Sequence, residues 1–248
     1  MKKILSLLLL FYINLFGESI HVAVAANVSY AIKALTSEFE KEYPHIKVET
    51  TLGSSGKLTS QIKHGAPYDI FMSANMRYPE TLYRDGFASS EVVIYAQGAL
   101  VLFSRTKREF SKGIYTLLEP EVKRVAMGNP KTAPYGKAAK ELLINAKIYN
   151  QVKPKLIYGE SISQTLLYAM RAAEMGFIAK SALYAKSMRH FKHNQNWIDI
   201  DKSLYNPISQ GIILLKKAKN NPDAKLFYDF ILSKRAKEIF KKFGYTTP

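Results

Sequence analysis

The sequence predicts an α/β protein of two lobes, each a mostly parallel sheet flanked by helices, with a ligand cleft between the lobes. Short β-branched runs alternate with helical patterns twice along the 248 residues, first over 20–74 and again after residue 95. Extended segments near Gly98 and at 205–208 connect the two series. We therefore expect a hinge between two packed units rather than a flexible linker.

The first lobe begins with the apolar run IHVAVAA, which is typical of a strand buried on both faces. A helical pattern follows, with Asn27 or Ser29 as its cap, and then a second strand, IKVETTL. Ser54 or Ser55 caps the next helix, which precedes a third strand in DIFMSA. This β-α-β-α-β order predicts a parallel sheet with helices on both faces.

The second lobe begins with YAQGALVLFS, which predicts one long strand over 95–104. Three further strands in KRVAMGNP, KLIYGES and MGFIAKS alternate with helices in APYGKAAKELLINAKIY and SISQTLLYAMRAAE. The segment WIDIDKSLYNPISQGIILL supplies strands that lead back, and we expect the C-terminal helices to pack on the first lobe. The predicted bounds are 18–97 plus 209–248 for lobe 1 and 98–208 for lobe 2.

Residues 1–17 have the layout of a cleaved secretory signal peptide. Lys2 and Lys3 precede an apolar run, and a small residue, Gly17, stands where cleavage is expected. The alternative is an uncleaved membrane anchor, for which the apolar run is short. We expect export and removal of this segment.

Composition excludes several classes of protein. The chain contains no cysteine, which rules out disulfides, catalytic thiolates and cysteine zinc sites. The net charge is +16, which attracts anions, but the lysines are spread along helix faces without an aromatic-interleaved basic motif. We therefore expect no nucleic-acid partner and interpret the lysines as a solvated surface.

Four strand-to-helix junctions offer backbone N–H groups at the positive ends of helix dipoles. Any one of them alone is more often an ordinary capped helix, so the hypothesis depends on the set of four. None of the four contains an acidic acceptor, and we interpret nearby Asp69 and Glu160 as structural. Such a cage suits a fully deprotonated tetrahedral oxyanion, since phosphate keeps a proton and needs an acceptor. The junctions are Ala26-Asn27-Val28, Ser54-Ser55-Gly56, Pro134-Tyr135-Gly136 and Ser161-Ile162-Ser163.

Five stretches resemble the periplasmic molybdate-binding proteins that serve ABC importers. They are VAVAANVSYAIKAL, SSGKLTSQIKHGAPYDIFMSAN, AMGNPKTAPYGKAAKELL, KLIYGESISQTL and AKEIFKKFGY, and the resemblance covers nearly the whole chain after the signal peptide. It implies a type II periplasmic binding protein that captures molybdate or tungstate and delivers it to a membrane permease. It implies no cofactor beyond this ligand, and we expect a monomer.

The resemblance also implies a ligand set. The family's site falls on Asn27, the Ser55 hydroxyl and the backbone donors of Tyr135 and Ile162, with a further N–H from Ala26. Some members carry a tyrosine donor where this chain has Ala179, so a donor from that position is in doubt. Because a donor at position 179 is in doubt, the preference of the site among molybdate, tungstate and sulfate stays open.

The sequence also raises three functions other than molybdate binding. A site for another oxyanion such as sulfate is the nearest alternative. A Ser-dependent hydrolase would need a base near Ser55, and His64 lies at the far end of the same predicted helix, so no enzyme is expected. His190 and His193 form H-x-x-H without a companion carboxylate motif, so we expect no direct protein ligands to a metal cation.

Overall fold

A computed structural model describes residues 19–248, and the predicted signal peptide at 1–17 lies outside the described residues. The strands are β1 Ile20–Ala25, β2 Val48–Gly53, β3 Ile70–Met72, β4 Val93–Gly98, β5 Leu100–Phe103, β6 Val125–Gly128, β7 Leu156–Gly159, β8 Met175–Ala179, β9 Trp197–Asp199 and β10 Ile208–Leu214. The α-helices are α1 Ser29–Glu42, α2 Ser55–Lys63, α3 Arg77–Arg84, α4 Pro134–Asn145, α5 Tyr149–Val152, α6 Ile162–Arg171, α7 Pro222–Leu232 and α8 Lys234–Lys242.

The strands form two five-stranded sheets, ordered β2-β1-β3-β10-β4 and β7-β6-β8-β5-β9. We call the unit around the first sheet lobe 1 and the unit around the second sheet lobe 2. In each sheet three neighbouring strands pair in parallel, while β10 and β5 each pair antiparallel with both neighbours. Four strands of each sheet therefore point one way, and the predicted α/β class with two sheets is confirmed.

The chain crosses between the lobes at the end of β4. We predicted one long strand over 95–104, and this is wrong, because β4 belongs to lobe 1 and β5 to lobe 2 with only Ala99 between them. The return crossing lies between β9 and β10. The reversed strands β5 and β10 are the first strands after each crossing, since the chain enters each lobe from the hinge. The residue bounds predicted for the lobes stay a prediction.

Two local predictions were wrong. Neither Asn27 nor Ser29 caps α1, because a 3-10 turn over Ala26–Val28 leads directly into the helix. The helix predicted over APYGKAAKELLINAKIY is divided into α4 and α5, and Lys147 between them has a φ of 58°. A non-glycine residue in the left-handed region cannot continue an α-helix, so the chain turns there.

The C-terminal helices pack on lobe 1, as predicted. Phe227 of α7 and Phe240 of α8 are fully buried in one apolar cluster with Phe39 of α1. The rings of Phe39 and Phe227 meet edge to face with centroids 5.0 Å apart, an arrangement that adds to the free energy of burial. The two C-terminal helices therefore stabilise lobe 1.

Gly136, in the first turn of α4, lies against the end of β6. A Cβ there would lie 2.0 Å from the carbonyl oxygen of Gly128 and 2.4 Å from its carbonyl carbon. Because backbone atoms cannot move aside, we expect Gly136→Ala to lower the free energy of unfolding by about 1–3 kcal/mol. Denaturant titration measures this, with exposed Lys137→Ala as the control. Equal stability of Gly136→Ala and the wild type would contradict the close approach.

Candidate anion-binding site

One cavity lies where the carboxyl ends of strands from both lobes face each other. It is small, with about 10 Å³ open to the centre of a water-sized sphere, and it is lined by all five predicted site residues, which are Ala26, Asn27, Ser55, Tyr135 and Ile162. They come from four separate strand-to-helix junctions, after β1, β2, β6 and β7. Ligands of open α/β sheets bind at this edge, where helices begin. The structure thus brings together residues that are up to 136 positions apart in the chain.

The backbone N–H groups of Asn27, Ser55, Tyr135 and Ile162 belong to first helical turns, where intrahelical acceptors are missing. Within residues 19–248, none of these four groups donates to a turn, loop or cap acceptor. All four residues are at least nine-tenths buried. A buried N–H without an acceptor costs free energy, so an acceptor bound in the cavity would be favourable.

The two serines at the start of α2 have different roles. Ser54 is the N-cap, and its Oγ accepts a hydrogen bond of 3.3 Å from the Lys57 N–H. Ser55 Oγ accepts one of 3.0 Å from the Ala74 N–H. The Ser55 hydroxyl proton has no acceptor among the described side chains and backbone groups, which leaves it free to donate.

The Asn27 side chain is buried against a polar network. Its Nδ2 donates to Gln210 Oε1 at 2.9 Å and to the Tyr245 hydroxyl at 3.1 Å. The Asn27 carbonyl accepts hydrogen bonds from the hydroxyls of Tyr245 (2.7 Å) and Ser181 (2.9 Å). Asn27 Oδ1 is buried and has no hydrogen-bond partner in the described part of the chain. The network holds the residue rigidly while one polar atom stays unpaired.

The cavity lining is electrically neutral at physiological pH. Tyr135 is its single titratable residue, and burial raises the pKa of the phenol well above 10. Glu160 is exposed, and buried Asp69 accepts the His21 N–H at 2.8 Å and lies 3.5 Å from Lys217 Nζ. Neither carboxylate lines the cavity. An anion here would be held by dipoles and hydrogen bonds without a charged partner.

The two lobes touch directly around the cavity. The Gly56 N–H donates to the carbonyl oxygen of Thr132 at 3.0 Å, and Ser163 Oγ donates to that of Ala26 at 3.1 Å. The Tyr78 hydroxyl donates to the carbonyl oxygen of Lys131 at 3.0 Å. Each of these hydrogen bonds joins one lobe to the other, so they form only when the cleft is closed.

An ion pair also spans the cleft. Lys57 Nζ lies 3.3 Å from Glu160 Oε1, and both side chains are more than half exposed. Exposed ion pairs contribute about 0–1 kcal/mol, so we expect Glu160→Gln to change the affinity for an anion by less than about fivefold. Titration at low salt and at about 1 M salt, where the Debye length is ~3 Å, measures this. A tenfold loss that persists at high salt would contradict a surface pair.

Position 179 does not contribute to the cavity. Ala179 is the last residue of β8 and is buried beside Leu100, with which it pairs across the sheet. It has no side-chain donor and does not line the cavity.

Sequence reasoning missed two groups of residues. Gly53, Ala74 and Ala133 also line the cavity, and small apolar residues carry no chemical pattern that reveals this. Gln210 accepts hydrogen bonds from the side chains of Asn27 and Tyr95, and neither Gln210 nor Tyr95 was predicted to belong to the site. Gln210 could have been noticed as a buried polar residue within the largely apolar strand ISQGIIL, if burial could be read from the pattern of its apolar neighbours.

The described residues contain neither a cluster of metal-binding side chains nor a helix that could span a membrane. Among residues 19–248, no group of three or more His, Cys, Asp or Glu side chains is placed to hold a metal ion. Across the same residues, none of the helices has the length and apolar character required for a membrane span.

A two-lobe α/β fold with a neutral donor cavity in its cleft defines a binding protein for a small solute. The chain belongs to the bacterial extracellular solute-binding proteins, whose family pattern matches residues 20–246. Membership of a family of binding proteins confirms the prediction that the chain is not an enzyme.

The chain is similar in sequence and in structure to molybdate-binding proteins. It is 36% identical to the molybdate-binding protein ModA of Azotobacter vinelandii over 231 residues, which are 92% of this chain and 90% of the relative. It is also 36% identical to the molybdate-binding protein ModA of Rhodobacter capsulatus over 234 residues, which are 93% of this chain and 89% of the relative. The solved periplasmic molybdate-binding protein of Azotobacter vinelandii superposes with a TM-score of 0.85 at 28% identity, over 92% of this chain and 99% of that one. The resemblance to molybdate-binding proteins is therefore confirmed.

Proposed function

We propose that the protein binds molybdate, or tungstate, in the cavity between its lobes and delivers it to an ABC permease. The observation that carries the proposal is the convergence of four unpartnered backbone N–H groups on one neutral cavity. The Ser55 hydroxyl adds a fifth donor. The names of the relatives support molybdate as the anion.

Hydrogen bonds can supply the binding free energy without a charged partner. A hydrogen bond to a charged group contributes about 1.5–3 kcal/mol. Five or six such bonds amount to about 7–18 kcal/mol, a range that includes the roughly 8–12 kcal/mol of micromolar to nanomolar affinity. A dianion that only accepts hydrogen bonds satisfies every donor in the cavity.

Closure follows from the division of donors between the lobes. Asn27 and Ser55 belong to lobe 1, whereas Tyr135 and Ile162 belong to lobe 2. An anion held by the first pair gains the second pair only when the lobes meet, so it binds the closed state more tightly. The permease would then recognise the closed shape.

The setting of this function is part of the proposal. The signal-peptide pattern at 1–17 supports export to the periplasm, where a single copy of the chain would collect the anion and carry it to the membrane. The net positive charge favours the approach of anions.

Parallel calorimetric titration of the purified mature protein with molybdate, tungstate, sulfate and phosphate tests the proposal. We expect molybdate and tungstate to bind more tightly than sulfate, and phosphate to bind most weakly because no carboxylate lines the cavity to accept its proton. We also expect affinity to stay constant between about pH 7 and 9, since burial raises the pKa of Tyr135 above its usual value. Tightest binding of sulfate, or no heat with any of the four anions, would refute the proposal.

A further inference from the structure

Gln210 is a buried polar residue one layer behind the cavity. It lies in β10, has no exposed surface and does not line the cavity. Its Oε1 accepts hydrogen bonds from Asn27 Nδ2 at 2.9 Å and from the Tyr95 hydroxyl at 2.8 Å. Its Nε2 lies 3.4 Å from the hydroxyl of Tyr135. Gln210 therefore connects two of the proposed ligand residues.

The orientation of the Asn27 amide is unfavourable for an anion. Asn27 is 1% exposed and lines the cavity, and its Nδ2 has three oxygen neighbours behind the site, in Gln210, Tyr245 and Tyr135. Its Oδ1 has no partner among the described residues. An amide oxygen and an oxyanion both only accept hydrogen bonds, so the unpaired atom repels the ligand that the rest of the cavity attracts.

Rotation of both amides by 180° gives every amide N–H and C=O group of the two side chains a partner once an anion occupies the cavity. The Tyr245 hydroxyl, 3.1 Å from the Asn27 amide, then has one proton for two acceptors, which are the backbone carbonyl oxygen of Asn27 and its Oδ1. The oxygen and nitrogen of a primary amide occupy nearly the same volume, so the rotation needs no new space. Gln210 Nε2 would then donate to Asn27 Oδ1 and to the Tyr95 hydroxyl, and Tyr95 would donate to the carbonyl oxygen of Ser73, now 3.2 Å away. The Tyr135 hydroxyl would donate to Gln210 Oε1. The phenols can reverse direction because each hydroxyl both donates and accepts.

We propose that Gln210 is a positioning residue, whose amide turns together with that of Asn27 so that Asn27 Nδ2 faces the anion and Gln210 Nε2 pairs with Asn27 Oδ1. This inference rests on the proposed function. It adds two N–H donors at the position of the unpaired oxygen. It also favours a fully deprotonated anion over one that carries a proton, since the rotated amide offers no acceptor to the cavity.

A double-mutant cycle tests the inference by calorimetric titration with sodium molybdate. Gln210→Met keeps the approximate volume and removes both hydrogen-bonding ends, and we expect about tenfold weaker binding. We expect Asn27→Ala to weaken binding by about 10- to 100-fold. In the Asn27→Ala background, Gln210→Met should change affinity by less than about twofold, because it has no amide left to orient. Asn196→Ala, which removes a buried amide away from the cavity, is the control for stability.

The outcomes separate three cases. If the effect of Gln210→Met is the same in both backgrounds, Gln210 acts only on packing and the inference is overturned. If the wild type binds none of the four tetrahedral anions, the proposed function itself fails. Should Gln210→Met not fold, side-chain amide NMR of the wild type decides, with molybdate expected to shift the NH₂ signals of both Asn27 and Gln210 but not of Asn196. An unshifted Gln210 signal would overturn the inference.

Discussion

Ser55→Ala is expected to weaken molybdate binding by about 1–3 kcal/mol, which is roughly 5- to 150-fold. The Ser55 hydroxyl proton has no acceptor within the described residues, and the side chain is 1% exposed at the cavity. A methyl group there cannot donate to the anion, and water cannot replace the lost donor in a closed site. Calorimetric titration measures the loss.

Ser54→Ala is the matched control for that result. Ser54 also lines the cavity, but its Oγ accepts the Lys57 N–H at the start of α2, and loss of an N-cap costs about 1 kcal/mol of stability. Ser55→Ala leaves the Ala74 N–H without its acceptor and should lose a similar amount. The two variants should therefore unfold alike in denaturant, while Ser55→Ala alone binds poorly. Equal affinity of the two would remove the Ser55 hydroxyl from the site.

Gly56→Ala is expected to weaken molybdate binding without lowering the stability of the protein. A Cβ at this position would lie 2.7 Å from the Tyr78 hydroxyl and 3.0 Å from both Cα and O of Thr132, in the other lobe. Crowding of this kind costs about 1–3 kcal/mol. The contact with the Thr132 backbone exists only in the closed state, whereas the Tyr78 hydroxyl lies in the same lobe as Gly56 and ends a side chain that can turn aside. Alanine in place of glycine favours the helix by up to about 1 kcal/mol. We expect weaker molybdate binding together with an unchanged or higher melting temperature.

Ser60→Ala, on an exposed position of the same helix, is the control for this prediction. This substitution changes helix propensity at a position away from lobe 2, so the variant should bind molybdate with the affinity of the wild type. Calorimetry and thermal melts without ligand measure the two quantities. Wild-type affinity in Gly56→Ala would show that binding does not require the lobes to approach as closely as they do in this structure.

Much of the candidate site was predictable because helix N-termini carry local chemistry. Asn27, Ser55, Tyr135 and Ile162 each stand in the first turn of a helix that follows a strand, and such junctions offer unpaired N–H groups wherever the chain then goes. The order of strands and helices also predicted two sheets whose carboxyl ends present these junctions. Neither inference required knowledge of which residues meet in space.

The divided strand at Gly98 shows where such reasoning stopped. The run YAQGALVLFS is mostly apolar, and periodicity cannot indicate that Ala99 separates two sheets. A Cβ at Gly98 would lie 1.9 Å from the Tyr135 hydroxyl, so the glycine is required by a residue 37 positions away. Contacts of this kind arise from packing and leave no local pattern.

Residue order alone therefore predicted the fold class, the four donor junctions and the absence of charge at them, since each depends on neighbours a few positions apart. The tertiary structure decided that the junctions share one small cavity and that Thr132 meets Gly56 across the cleft. It also placed Gln210 and Tyr245 within hydrogen-bonding distance of the Asn27 side-chain amide. These facts depend on distances between residues far apart in the chain, which only the packing of the two lobes determines.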